Sequence, residues 1–105
     1  MVQFKLLADG QLPSSKGTLY TGPTNVRTLI KCITLCNTHS TDARTVNLYV
    51  SRGTSRRIID VDKSIAGKAS YVFSEPIVIG PTELLEGDAS AATSVDYSVH
   101  GVQES

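Results

Sequence analysis

The stretch TLIKCITLCNT, residues 28–38, is strongly apolar and carries both cysteines of the chain, Cys32 and Cys36. It is dense in β-branched residues and neither Gly nor Pro interrupts it, so it predicts a β-strand over residues 27–37. In a strand, positions four apart point to the same side and lie about 13 Å from each other. A disulfide needs Cα atoms about 4.4–6.8 Å apart, and zinc binds thiolates at about 2.3 Å. We therefore expect the cysteines neither to pair nor to share a metal, and to act as small apolar side chains.

Strict alternation makes this strand apolar on both faces. One side carries Leu29, Lys31, Ile33 and Leu35. The other side carries Ile30, Cys32 and Cys36. A two-layer sandwich buries only one face of each sheet, so the second face needs cover, either from the chain itself, such as an N-terminal arm at 1–17, or from another chain. We predict Leu29, Lys31, Ile33 and Leu35 as interface residues on this basis.

The composition predicts an all-β protein. Val and Ile number 17 and Ser and Thr 23 of the 105 residues, and helix formers are scarce. We expect one antiparallel β-sandwich domain over residues 1–105, with about eight strands and a jelly roll among the topologies that their spacing allows. The predicted strands are residues 2–8, 18–21, 27–37, 45–51, 57–61, 68–74, 77–79 and 93–102. DKSIAG is predicted as a turn, and LLEGDAS as a tight turn with Gly87 available for a positive φ.

Bulk properties exclude several classes of protein. Forty per cent of the residues are hydrophobic, which argues against disorder. No apolar run approaches the ~20 residues that span a bilayer, and the N-terminal sequence lacks the basic start and long apolar run of a secretory signal. A net charge of zero argues against a nucleic-acid binder held by phosphate contacts. We expect neither nucleic acid nor a membrane as a partner. Two cysteines that cannot pair fit a reducing compartment.

Charge is distributed unevenly along the chain. All ten Lys and Arg lie at or before Lys68, and the six acidic residues from Glu75 onward have no basic residue among them. Such asymmetry arises by chance in a small domain, or it lets identical subunits meet through surfaces of opposite charge. The basic cluster in SRGTSRR comprises Arg52, Arg56 and Arg57. Without interleaved aromatic residues it does not indicate base stacking, so it is either a solvated loop or an interface with an acidic protein surface.

The residues that could carry chemistry are few. His100 alternates with Asp96 and Ser98 on a predicted strand, where same-side neighbours lie about 6–7 Å apart, beyond hydrogen-bond reach. His39 falls in a polar turn, and Met1 is the only methionine, so a copper site of two His, a Cys and an axial Met is incomplete. We predict no catalytic, cofactor-binding or metal-binding residue, and no enzymatic activity.

Four segments together resemble a group of small all-β virion proteins from tailed bacteriophages. They are LYTGP at 19–23, IKCITLCNTHSTDARTVNLYV at 30–50, PIVIGPTELLEGDAS at 76–90 and VDYSVHGVQES at 95–105. In that group an aromatic-Thr-x-Pro entry precedes a strand of the type I-K-x-I-x-L-x-N-T, and a T-V-x-L-Y-V strand follows. The shared motifs are structural, so the resemblance supplies no active site.

The resemblance implies a β-sandwich that serves as a capsid decoration (cement) protein, or as a neck, tail or fibre component. It also implies a homotrimer that binds the major capsid protein, made in the bacterial host cytoplasm and located in the virion. A host-surface or glycan-binding module, such as a receptor-binding tip, is the alternative from another functional class.

Overall fold

The computed structural model describes residues 2–59, 61–91 and 94–104, with side chains from residue 6 onward. These residues form ten β-strands: β1 (Val2–Gln11), β2 (Gly17–Thr21), β3 (Arg27–Asn37), β4 (Arg44–Ser51), β5 (Ser55–Arg57), β6 (Lys63–Ile65), β7 (Ser70–Phe73), β8 (Ile77–Ile79), β9 (Leu84–Ala89) and β10 (Val95–Glu104). The described segments contain no helix able to cross a membrane.

The strands form two antiparallel five-stranded sheets. In sheet A the order is β1-β10-β3, and the short strands β7 and β8 lie end to end along the other edge of β3. In sheet B it is β2-β9-β4, with β5 and β6 along the other edge of β4. Each sheet thus has four positions, and β1 to β4 alternate between the sheets, as do β8, β9 and β10. This is the topology of a jelly roll, and the predicted antiparallel sandwich is confirmed.

Ten strands are seen where about eight were predicted because two of the eight positions each hold two short strands. Along β3, the interruption between β7 and β8 contains Pro76, which has no N–H for the ladder. Along β4, the chain leaves the sheet after Arg57 and returns at Lys63. Short, interrupted edge strands of this kind offer little template for pairing with other chains.

The core lies between the two sheets and is built from side chains that alternate along each strand. Its fully buried members include Ile30, Ile33, Leu35, Val46, Leu48, Ile79, Leu85, Val95 and Val99. Both sheets contribute, so neither could bury its apolar face without the other.

Strand β3 contains a β-bulge at Lys31. Cys32 pairs with His100 on β10, but Ile30 pairs with the next residue of β10, Gly101, so Lys31 has no partner of its own. A bulge of one residue reverses the face to which all subsequent side chains point.

The predicted strand over 27–37 is therefore confirmed, but its predicted faces are wrong. Ile30 and Ile33 both point into the core, as does Leu35. Ile33 and Leu35 are completely buried, so they have no surface with which to contact another chain, and their prediction as interface residues is corrected. Leu29 is half-buried and Lys31 is exposed. The outward side of β3 is thus much less apolar than strict alternation predicts.

The predicted tight turn LLEGDAS is instead strand β9, which lies at the centre of sheet B. Gly87 is not among the glycines with positive φ. A Cβ at Gly87 would lie 2.9 Å from Leu19 Cδ1 and 3.0 Å from the Asn47 carbonyl oxygen. Gly87 is thus required for close packing within the sheet, whereas the sequence suggested a turn.

Other boundaries also differ from the prediction. The DKSIAG segment contains β6, and the strand predicted over 57–61 is found at Ser55–Arg57. The N-terminal segment 1–17, considered as an arm, includes the edge strand β1, which pairs along its length with β10.

Candidate interaction surfaces

The outer face of sheet B is covered by the protein's own side chains. Asn47 and Tyr49 alternate with core residues of β4, yet only 6% and 7% of their surfaces are exposed. Asn47 Nδ2 donates hydrogen bonds to Asp88 Oδ1 at 2.8 Å and Asp62 Oδ1 at 3.0 Å. The Tyr49 hydroxyl donates to Asp88 Oδ2 at 3.1 Å. The strand buried on both faces is therefore β4, and its second face is satisfied internally.

Two cations cover the ring of Tyr49. Lys16 Nζ lies 4.3 Å from the ring centroid and Arg57 Cζ 5.0 Å, both within cation–π range. Arg57 Nη1 also donates to Asn47 Oδ1. Burial, reinforced by Asp88, raises the pKa of Tyr49 above its ordinary value. Arg57, a predicted interface residue, is thus engaged in holding this face together.

The structure does not bring the three arginines of SRGTSRR into one cluster. Arg52 Nη2 donates to the Val78 carbonyl at 2.6 Å, and Arg52 Nε lies 3.4 Å from Glu83 Oε1. Arg52 therefore links the β4–β5 loop to β8 across the sandwich edge. Arg56 is exposed, and no hydrogen bond or ion pair of the described residues involves it. Of the three, Arg56 has its guanidinium available to another molecule.

The outer face of sheet A retains exposed apolar side chains. Four large hydrophobic residues are strongly exposed in the described part of the chain, and three of them belong to this sheet: Leu6, Val72 and Val78, at 49%, 52% and 48%. Val72 pairs with Thr34, on the outward side of β3. Exposed apolar side chains gathered on one face of a sheet are typical of sites of association, so this face is the strongest candidate for a protein interface.

Part of this face carries apolar side chains on neighbouring strands, which we call the outer apolar patch: Leu6, Leu29, Val78 and Val102. Leu6 lies one row away from the other three, opposite His100. Val78, Leu29 and Val102 form one row across β8, β3 and β10. A groove of about 240 Å³ runs along this row. Arg27 and Glu104, which pair across β3 and β10, lie at its end. The predicted interface residue Leu29 is thus at the centre of the patch.

The other half of the same face is acidic. A groove of about 400 Å³ is lined by residues that include Asp9, Gln11, Cys36 and Asp96. Gln11 Nε2 donates to Asp96 Oδ1 at 3.2 Å. Burial, with a smaller contribution from the charge of Asp9, raises the pKa of Tyr97. The two carboxylates of Asp9 and Asp96 therefore distinguish this half of the face from the outer apolar patch.

The two cysteines are free and half-buried. On the neighbouring strand β10, His100 lies opposite Cys32 and Asp96 lies opposite Cys36. Both cysteines therefore lie on the outer face of sheet A. Within the described ranges, no three His, Cys, Asp or Glu side chains are grouped as a metal site.

Asn37, at the end of β3, is a structural residue that the sequence analysis missed. It is completely buried, and its Nδ2 donates to the carbonyl oxygens of Asp42 and Ile65, each at 2.9 Å. Its Oδ1 accepts from the His39 N–H at 3.0 Å. His39 Nδ1 in turn accepts from the main-chain N–H of Asp42 at 2.9 Å, so His39 supports this turn. An Asn that ends an apolar strand and directly precedes a polar turn was the available signal.

No protein-family model matches the chain, and no curated protein matches it. Among solved structures, it is similar to a chain in the structure of infectious bursal disease virus, Gx strain, with a TM-score of 0.54 and 13% sequence identity. The match covers 98% of this chain and 32% of that one, so this chain corresponds to a part of the longer chain. At this identity the likeness concerns the fold.

Proposed function

We propose that this protein is a non-enzymatic structural component of a tailed-phage virion, and that it decorates and stabilises the head lattice. The observation that carries the proposal is the jelly-roll topology, which extends from β1 to β10. Jelly rolls recur in viral capsid domains, and the similar chain belongs to a virus structure. The four segments that resemble phage virion proteins lie in this sandwich.

A fold hosts many functions, so the surface must also suit the role. The outer face of sheet A presents exposed apolar residues, including Leu6 and Val78, which suit contact with other protein surfaces. The histidines fit a structural role: His39 supports a turn, and His100 lies across from Cys32 on a strand.

Stabilisation would be mechanical. A decoration protein that binds only the assembled lattice shifts the equilibrium toward the closed shell by mass action. Many weak contacts repeated around the shell act together, because each bound neighbour raises the effective concentration of the next contact. Among the three arginines of SRGTSRR, we assign Arg56 to lattice contact, because Arg52 and Arg57 have partners within the chain.

Co-sedimentation of the protein with purified phage heads tests the proposal. We expect saturable binding at a fixed number of copies per head, weakened by Arg56→Glu. Lys68→Glu, a charge reversal at another exposed position, is the matched control. Binding confined to necks, tails or fibres would refute the head assignment, and binding to bacterial cells or polysaccharide would favour a host-surface module.

A further inference from the structure

We propose that the outer apolar patch is a self-pairing surface, on which a second copy of this chain packs face to face. The two copies are related by a two-fold axis that runs parallel to β3 and β10 and between them. This pairing goes beyond the proposed virion role, because it names a second copy of the chain as the partner of this face, and its test needs no capsid.

The first support is that sheet A is the layer whose outer face lacks internal cover. On sheet B, Asn47 and Tyr49 are more than nine-tenths buried by side chains of the same molecule. On sheet A, Leu6 and Val78 remain about half exposed, at 49% and 48%. Burial of such surface is favourable by about 25 cal/mol per Å², so a second apolar face is a stabilising partner for it.

The second support is the arrangement of charge. Arg27 on β3 pairs across the strands with Glu104 on β10, one row from the Leu29–Val102 pair. The proposed axis exchanges the positions of β3 and β10, so β3 of each copy lies over β10 of the other. Arg27 of one copy then faces Glu104 of the second copy, and Leu29 faces Val102. The same surface is therefore complementary to itself, as a two-fold interface requires.

Both charges are available for this contact. Arg27 and Glu104 are exposed, and neither belongs to an ion pair of the described residues. By symmetry, the pairing creates two Arg27–Glu104 contacts beside two Leu29–Val102 contacts. An axis perpendicular to the strands and centred on the Leu29 row would instead place Arg27 over the row of Cys32, which carries no acidic group. The charge arrangement thus selects the axis between β3 and β10.

The third consideration is the area of the proposed interface, which sets the expected strength of the dimer. Four strand positions about 4.8 Å apart and three rows of side chains about 6.6 Å apart give roughly 400 Å² per copy. The acidic half of the face adds little, since the same axis places Asp96 over Cys36 and Asp9 over Val72 of the second copy, where neither carboxylate gains a cationic partner. A total near 800 Å² is below the ~1,200 Å² of stable complexes, so the pair is weak and forms at high local concentration.

Sedimentation equilibrium over a wide range of protein concentration tests the pairing. We expect a reversible monomer–dimer equilibrium for the natural sequence. Arg27→Glu and Glu104→Arg should each weaken the dimer at least about tenfold, because like charges then face each other. An equimolar mixture of these two variants should associate as tightly as the natural protein, since opposite charges again meet at both contacts.

Recovery of dimerisation in the mixture of the two variants requires that residue 27 of one molecule contacts residue 104 of the other. Arg56→Glu, a reversal on an exposed residue of sheet B, is the matched control and should dimerise normally. Leu29→Asp should remain folded by circular dichroism and stay monomeric. A monomer at every concentration, a mixture no tighter than its separate variants, or a trimer would each overturn the proposal.

Discussion

Gly101 lies against the main chain of Leu29, and this contact accommodates the bulge in β3. A Cβ at Gly101 would collide with the Leu29 carbonyl oxygen and would lie 3.0 Å from Ile30 Cα. Because Gly101 has no side chain, β3 can accommodate the extra residue Lys31 where it pairs with β10. Because the bulge reverses side-chain alternation, it places Ile33 in the core.

Gly101→Ala should therefore destabilise the protein. We expect a loss of about 1–3 kcal/mol in the free energy of unfolding, typical of overpacking at a buried site. Urea unfolding measures it, with the outward-facing Ser98→Ala on the same strand as control, expected within about 0.5 kcal/mol. Equal stability of the two variants would show that the bulge does not need a glycine.

Aspartate at Ile33 and at Leu29 should have opposite consequences. Both positions lie on one face if β3 alternates strictly, but the bulge puts Ile33 in the core and Leu29 on the outer surface. Ile33→Asp buries an unpaired charge and should prevent folding. Leu29→Asp should fold with near-normal thermal stability. Circular dichroism melts distinguish the two, and similar behaviour of both variants would contradict the bulged register.

Asn37→Ala should cost about 2–3 kcal/mol of stability, because the carbonyl oxygen of Asp42 and the buried carbonyl oxygen of Ile65 lose their donor. Ser40→Ala, an exposed change in the same turn, serves as control. Urea unfolding should separate the variants clearly. If Asn37→Ala behaved like the control, solvent would be replacing the amide in that turn.

Neighbouring arginines should differ in their importance for stability. Arg57→Ala removes a cation from the ring of Tyr49 and a donor to Asn47, so we expect a loss of about 1–2 kcal/mol. Arg56→Ala removes a side chain without a partner among the described residues and should change stability by less than about 0.5 kcal/mol. Thermal melts at equal ionic strength compare them. A larger effect of Arg56 would contradict the assignment of Arg57 as the covering residue.

Alkaline pH should destabilise the protein partly through Tyr49. Its pKa in the folded state is raised above the ordinary 10.0, so above that pH the unfolded chain releases this proton more readily. The contribution of protonated Tyr49 to the free energy of unfolding is therefore fully present below pH 10 and is lost as the pH rises further. Unfolding experiments between about pH 9 and 11 measure the loss, which Tyr49→Phe should reduce. An unchanged pH dependence in that variant would mean that Tyr49 ionises equally in both states.

Regular alternation made several elements predictable. The strands at 27–37 and 77–79 were predicted with the observed bounds, and the inward positions of Val46, Leu48 and Val50 follow directly from a period of two. Strand β9 was missed because its Gly-Asp pair has the composition of a turn. The close approach of Leu19 and of the Asn47 carbonyl oxygen, visible only in the folded structure, shows why a glycine occupies that strand.

The candidate surfaces were predictable only in part. Leu29 was identified, but its assumed companions Ile33 and Leu35 are core residues. The arginines of SRGTSRR looked equivalent in sequence, yet contacts with Asn47 and Glu83 separate them into two structural residues and one free residue. Such contacts join residues that are distant along the chain, so local composition carries no record of them.

The amino-acid sequence by itself determined the all-β class, the antiparallel sandwich and the long central strand, because these depend on the local spacing of apolar and β-branched residues. The tertiary structure alone decided which face of that strand is buried. The reason is physical: the bulge at Lys31 depends on the contact between β3 and Gly101 of β10, and one additional residue there reverses every side chain that follows.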